Sequence, residues 1–111
     1  MNLILSKDRF MFWRSDAPPE DQSYFAVING GDGWSIVEKR DYGNWRSFRI
    51  DGEFGFDEVG ILLQILEPLA DAEVPIMTLS AYHTDFVFVK TSNLQKAVEA
   101  LRSAGLGVIE E

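Results

Sequence analysis

The stretch Asp85-Phe86-Val87-Phe88-Val89-Lys90 constrains the fold more than any other part of the chain. Four aromatic and β-branched residues follow one another between two charges, the composition of a strand rather than a helix. Successive strand residues point to opposite faces, so Phe86 and Phe88 share one side and Val87 and Val89 the other. A sheet carrying helices on one side only is polar on its other side. Both faces of this strand are apolar. Each is therefore expected to be covered, one by helices and the other by the aromatic N-terminal part of the chain, a partner subunit, or both.

The flanking segments supply the helices. Arg46-Ser47-Phe48-Arg49-Ile50-Asp51 alternates polar and apolar, as a strand with one buried face does. Gly52 to Phe56 reads as a loop, after which Asp57 is expected to cap a helix with Leu62, Ile65, Leu66 and Leu69 on one side. Pro68 falls late in that helix and is expected to bend or tighten its last turn. Ile76 to Ala81 is a strand joined to the constraining one by the short turn Tyr82-His83-Thr84. Ser92 and Gln95 match a capping box opening a second helix, with Leu94, Ala97, Val98 and Leu101 as its apolar stripe and Gly105 as its stop. Gly107 to Glu110 is a last strand. The order β-α-β-β-α-β is the ferredoxin-like arrangement, an α+β fold with both helices on one face of the sheet.

The first 45 residues show no helical spacing. Leu3-Ile4-Leu5, Phe10-Met11-Phe12-Trp13, Tyr24 to Ile28 and Trp34-Ser35-Ile36-Val37 read as strands, and Asp16-Ala17-Pro18-Pro19-Glu20-Asp21 as a loop. Asn29-Gly30-Gly31-Asp32-Gly33 separates two of these runs as a hairpin turn. A glycine-rich loop also cradles phosphate, but here no Lys-Ser/Thr follows and no helix opens after it. Trp13, Trp34 and Trp45 are expected to fill core rather than wall a pocket.

Composition removes whole classes of function. There is no cysteine, hence no disulfide, thiol nucleophile or thiolate metal site, and His83 is the only histidine. Acidic residues number 18 against 10 basic ones, for a formal charge of -8, which repels nucleic acid and anionic lipid surfaces. No apolar run reaches the roughly 20 residues of a membrane span. The first residues, Met1 to Lys7, lack the basic head and cleavage site of a signal peptide, so a cytoplasmic location is expected. Acid pairs such as Asp71 and Glu73 look solvated, and no serine sits in a nucleophile elbow. The expectation is a protein that is not an enzyme, with no catalytic residues, no cofactor and no metal.

The residues from Phe48 to Val108 resemble the ACT domain, specifically the tandem ACT-like group related to aspartate-kinase regulatory domains and arginine sensors. The resembling residues are Phe48-Arg49-Ile50-Asp51-Gly52, Phe56, Gly60-Ile61-Leu62, and Pro68 to Ala72. They continue with Ile76, Leu79-Ser80, Thr84 to Val89, Leu94 to Ala97, Leu101 and Gly105. Trp34-Ser35-Ile36-Val37 is similar to a short strand that the group carries before its complete ACT unit. The resemblance implies two parts: a reduced, mostly β ACT-like half over residues 1–45, and a complete ACT-like domain over 46–111. The sequence departs from the group at Gly33, where Glu is frequent, and at Ser80-Ala81-Tyr82, where the family has Ser-Thr-Phe/Tyr.

The resemblance also implies where an amino acid would sit, at the start of the first helix and often between two ACT units. Asp57-Glu58-Val59-Gly60 is similar to the family's Asp-x-x-Gly, so Asp57, Gly60 and Ile61 are expected ligand-binding positions. Free backbone N–H groups of a first helical turn receive carboxylates, and glycine admits close approach. Asp57 and Glu58 are equally accounted for as a cap and a partner of the helix dipole. Asp85 is the candidate holder of a ligand ammonium, beside hydroxyls from Ser80, Tyr82 and Thr84; alternatively it binds the backbone of its own turn. His83 reads as a turn residue. The expected function is a non-catalytic regulatory domain that binds an amino acid, with self-association as the expected partner interaction. The alternative is a ligand-free module for protein–protein interaction or dimerisation.

Overall fold

The computed structural model describes residues 1–20, 23–52 and 60–111. The strands are β1 (Asn2–Leu5), β2 (Phe10–Ser15), β3 (Ala26–Asn29), β4 (Trp34–Lys39), β5 (Trp45–Ile50), β6 (Ile76–Ser80), β7 (Asp85–Lys90) and β8 (Gly107–Glu110). The helices are α1 (Ile61–Asp71), between β5 and β6, and α2 (Leu94–Ser103), between β7 and β8. From β5 onward the order is β-α-β-β-α-β, so the fold is α+β and ferredoxin-like, as the sequence pattern predicts.

β7 sits centrally, antiparallel to β5 on one side and to β6 on the other. Its two faces meet two different cores. Val87 and Val89 pack with Phe48 and Ile50 of β5, Ile65 and Leu69 of α1, and Ala97 and Leu101 of α2. Phe88 packs on the reverse side with Phe10 and Val37, flanked by Phe12, Phe25 and Phe86. There the rings meet edge to face, the arrangement their quadrupoles favour: Phe10 to Phe88 at 5.2 Å, Phe12 to Phe88 at 5.1 Å and Phe25 to Phe86 at 5.2 Å between centroids. The cover expected for this second face is thus the chain's own N-terminal part. β3, β4 and β2 form an antiparallel layer that joins β5 through the single pair Phe10–Trp45 and lies against the face away from the helices.

β1 goes elsewhere. It lies between β5 and β8, antiparallel to the first and parallel to the second. Leu3 and Leu5 are fully buried in the helix-side core. A strand from the N-terminal part thereby completes the sheet on which both helices rest. The guanidinium of Arg46 secures the exit from β1, its Nε and Nη2 donating to the Ser6 carbonyl at 3.0 and 2.8 Å.

Several local expectations change. The Asn29–Gly33 turn forms as read, with Asn29 Oδ1 accepting from Gly31 N–H at 3.0 Å. The Ser92–Gln95 capping box does not form. A 3₁₀ turn over Thr91–Asn93 precedes α2, whose N-cap is Asn93 without a side-chain cap bond. Gln95 instead donates to Glu99 at 3.3 Å, one turn along the helix. Pro68 is accommodated inside α1, and its carbonyl accepts the closing bond from Ala72 N–H at 3.1 Å. Of the tryptophans, Trp45 packs against the aromatic core, whereas Trp13 is 36% exposed and donates its indole N–H to Glu38 at 3.0 Å.

Candidate functional site

The β6–β7 hairpin gathers most of the residues that the sequence singles out. Ser80 and Asp85 are directly paired across the two strands, and Ala81 N–H donates to the Thr84 carbonyl to close the turn. Strand alternation places Asp85 on the same face as Val87 and Val89, the face that carries the helices. The Ser80 hydroxyl donates to Asp85 Oδ1 at 2.5 Å, and the Thr84 hydroxyl lies 3.5 Å from the Asp85 carbonyl. Ser80 is exposed and Asp85 half-buried. This short charge-assisted bond fixes the carboxylate and leaves it with accepting capacity, since an ionised carboxylate takes about four bonds. Tyr82 is exposed at the tip, its ring edge-on to His83 at 4.7 Å between centroids.

α1 runs toward the opposite end of the hairpin, where Ile76 pairs with Val89, so its start is directed back toward the Asp85 end. The Arg49–Phe86 pair sets Ile50, the last residue of β5, abreast of Asp85. Gly60 is the N-cap, with φ 82°, a left-handed conformation that glycine adopts without strain. It carries no side-chain cap, and no acid lies in the first turn, so the first-turn N–H groups after Gly60 and Ile61 have no carboxylate side chain from that turn. Asp57, expected as cap or ligand residue, lies outside the described residues, as does most of the loop expected from Gly52 to Phe56. The structure therefore joins Ser80, Thr84 and Asp85, leaves Tyr82 exposed at the turn beside them, and directs the start of α1, Gly60 and Ile61, toward the same end.

No group of three or more His, Asp or Glu side chains able to hold a metal occurs among the described residues. No helix there is long and apolar enough to cross a membrane.

A second concavity lies on the other face of the sheet. At the seam between the two layers, Ser47 and Arg49 of β5 share a crevice with Phe25, Phe86, Lys39 and Asp8. The signal for it was present in β5. Its polar positions, Ser47 and Arg49, stand opposite the apolar Phe88 and Phe86 of β7, on the face that the N-terminal layer covers.

A sheet with both helices on one face, ordered β-α-β-β-α-β, defines an α+β domain of the ferredoxin-like class. Residues 42–103, more than half of the chain, match the ACT domain family, and the chain belongs to that family. It is 39% identical over 66 residues to the cytosolic arginine sensor for mTORC1 subunit 1 of Bos taurus, and 37% identical over 59 residues to the same protein of Homo sapiens. Those stretches are 57% and 52% of this chain, but the chain spans only 20% and 18% of the relatives' own length. Among solved structures, protein Atu0741 from Agobacterium tumefaciens superposes with TM-score 0.83 at 27% identity, over 99% of this chain and 92% of that one. The ligand-free regulatory subunit of aspartate kinase from Thermus thermophilus superposes with TM-score 0.69 over 92% of this chain and 95% of that one. At 11% identity that likeness is one of fold.

Proposed function

We propose that this chain is a non-catalytic regulatory domain that binds an amino acid at the end of the sheet shared by the β6–β7 hairpin and the start of α1. The observation that carries this reading is the Asp85 carboxylate, held at 2.5 Å by Ser80 on the helix-side face, with α1 opening without a side-chain cap. The two parts offer opposite charges to a zwitterion: a carboxylate for its ammonium, and backbone N–H groups with a helix dipole for its carboxylate. Membership of the ACT family and likeness to a protein named as an arginine sensor support the same reading. With it go a cytoplasmic location, no cofactor, and a division into a reduced half (1–45) and a complete unit (46–111), β1 being lent by the first to the sheet of the second.

The test is thermal unfolding of the chain against each of the amino acids. A ligand at 100 times its Kd adds about 2.7 kcal/mol of stability. The Asp85→Ala variant is expected to unfold at nearly the parent temperature without ligand and to lose the response. An unresponsive parent chain, or a variant that keeps the response, refutes the assignment.

A second reading, self-association, rests on the edge strand β3. Val27 and Ile28 are 40% and 41% exposed there, with no charge or proline in Ala26–Asn29 to discourage pairing with another edge.

A further inference from the structure

The crevice at the seam of the two layers has a volume of about 210 Å³ and is lined on the face of β5 and β7 opposite the helices, so the sheet separates it from the Ser80–Asp85 pair. It contains polar groups that the protein leaves unused. Ser47 is 3% exposed, yet its hydroxyl makes no hydrogen bond among the described residues, whereas its backbone carbonyl accepts from Ser6 N–H. No fully enclosed polar side-chain atom among these residues lacks a partner, so what exposure this hydroxyl has is to the crevice it lines.

Arg49 is the second such group. It is half-buried, faces Phe86 across the strands, and makes no hydrogen bond or ion pair among the described residues. Its neighbours differ. Arg46 is spent on the Ser6 carbonyl, and Lys39 is bound to Asp8 at 3.1 Å while lying 5.9 Å from the Phe25 ring centre. A guanidinium in a seam beside phenylalanine rings is partly dehydrated, and its planar fork matches a carboxylate in bidentate fashion.

We propose that this crevice binds a small organic monocarboxylate with an apolar body. Arg49 and Ser47 take the carboxylate, and Phe25 and Phe86 receive the body. The lining charges balance, Lys39 and Arg49 against Asp8 and Glu111, so each further negative charge on a ligand is repelled by two carboxylates and a monocarboxylate is favoured over a phosphate dianion. This site is independent of the amino-acid reading, being on the other face of the sheet and using none of its residues.

Benzoate is the probe, titrated into the full chain and followed by amide and arginine Nε–H resonances. Saturable shifts are expected at Ser47, Arg49 and Phe86, with the neutral isostere benzamide at least tenfold weaker and inorganic phosphate unable to displace benzoate at equal concentration. Arg49→Gln is expected to keep the folded spectrum and weaken benzoate at least tenfold. Absence of saturable shifts, shifts confined to Gly60 and Asp85, benzamide or Arg49→Gln binding equal to the parent pair, or displacement by phosphate each overturns the proposal. If Arg49→Gln loses the folded spectrum, the benzoate–benzamide comparison on the parent chain decides.

Discussion

The two helices end in the same motif with different residues at its critical position. In α1, Val74 N–H reaches back to the Leu69 carbonyl and Glu73 N–H to Ala70; in α2, Leu106 reaches Leu101 and Gly105 reaches Arg102. Both are Schellman closures, each with a buried apolar pair, Val74 on Leu69 and Leu106 on Leu101. The residue between must turn left-handed. Gly105 does so at φ 90°, whereas Glu73 is forced to φ 59° and is the one non-glycine residue at positive φ among those described. A Cβ in that conformation costs roughly 1–2 kcal/mol. Glu73→Gly is therefore expected to raise the urea midpoint, by about 1 kcal/mol of stability, and Gly105→Ala to lower it by a similar amount. Gly105 was readable as a stop because glycine announces the turn; Glu73 gave no such sign, since the hydrogen bonds of the closure impose its conformation.

Elements built from runs of one character were legible, and those that depend on a distant partner were not. Each apolar run of the first 45 residues became a strand, and both helices followed the spacing of their leucines. What Leu3-Ile4-Leu5 could not disclose was its place, because strand neighbours are chosen by packing across the whole chain. Its burial makes a prediction. Leu3→Ala and Leu5→Ala, each emptying a fully buried position, are expected to cost about 2–5 kcal/mol in chemical unfolding. Ile109→Ala, in the adjacent edge strand and 47% exposed, is expected to change stability by about 0.5 kcal/mol or less. The capping box of α2 failed for a related reason: the tight turn at Thr91–Asn93 moves the helix start past Ser92, so Gln95 is no longer three residues inside it.

At the scale of the molecule, two apolar layers meet on opposite faces of one strand; the two-faced run Phe86–Val89 demanded a cover on each face but left open whether the N-terminal part or a partner subunit supplied the second. The hairpin part of the candidate site was equally legible, because Ser80, Tyr82, Thr84 and Asp85 are close in sequence. The seam crevice was not, since Asp8, Lys39 and Arg49 come from separate strands or loops and meet only when the layers close. Open edges remain at β3, β6 and β8. If β3 pairs with a second copy, Ile28→Lys is expected to shift the sedimentation coefficient from dimer to monomer without loss of secondary structure; a parent chain that sediments as a monomer throughout the micromolar range rules that interface out.

The lodging of β1 between β5 and β8 bears on how such a chain is made. Residues 2–5 are synthesised well before one neighbour, Gly107–Glu110, which follows the other strands and both helices. Until then Leu3 and Leu5 have no finished core to enter, and that register waits for residues 107–110. Closing so long a loop is entropically slow. Emergence of residues 107–110, rather than of the N-terminal strands alone, is the event that lets this sheet be completed.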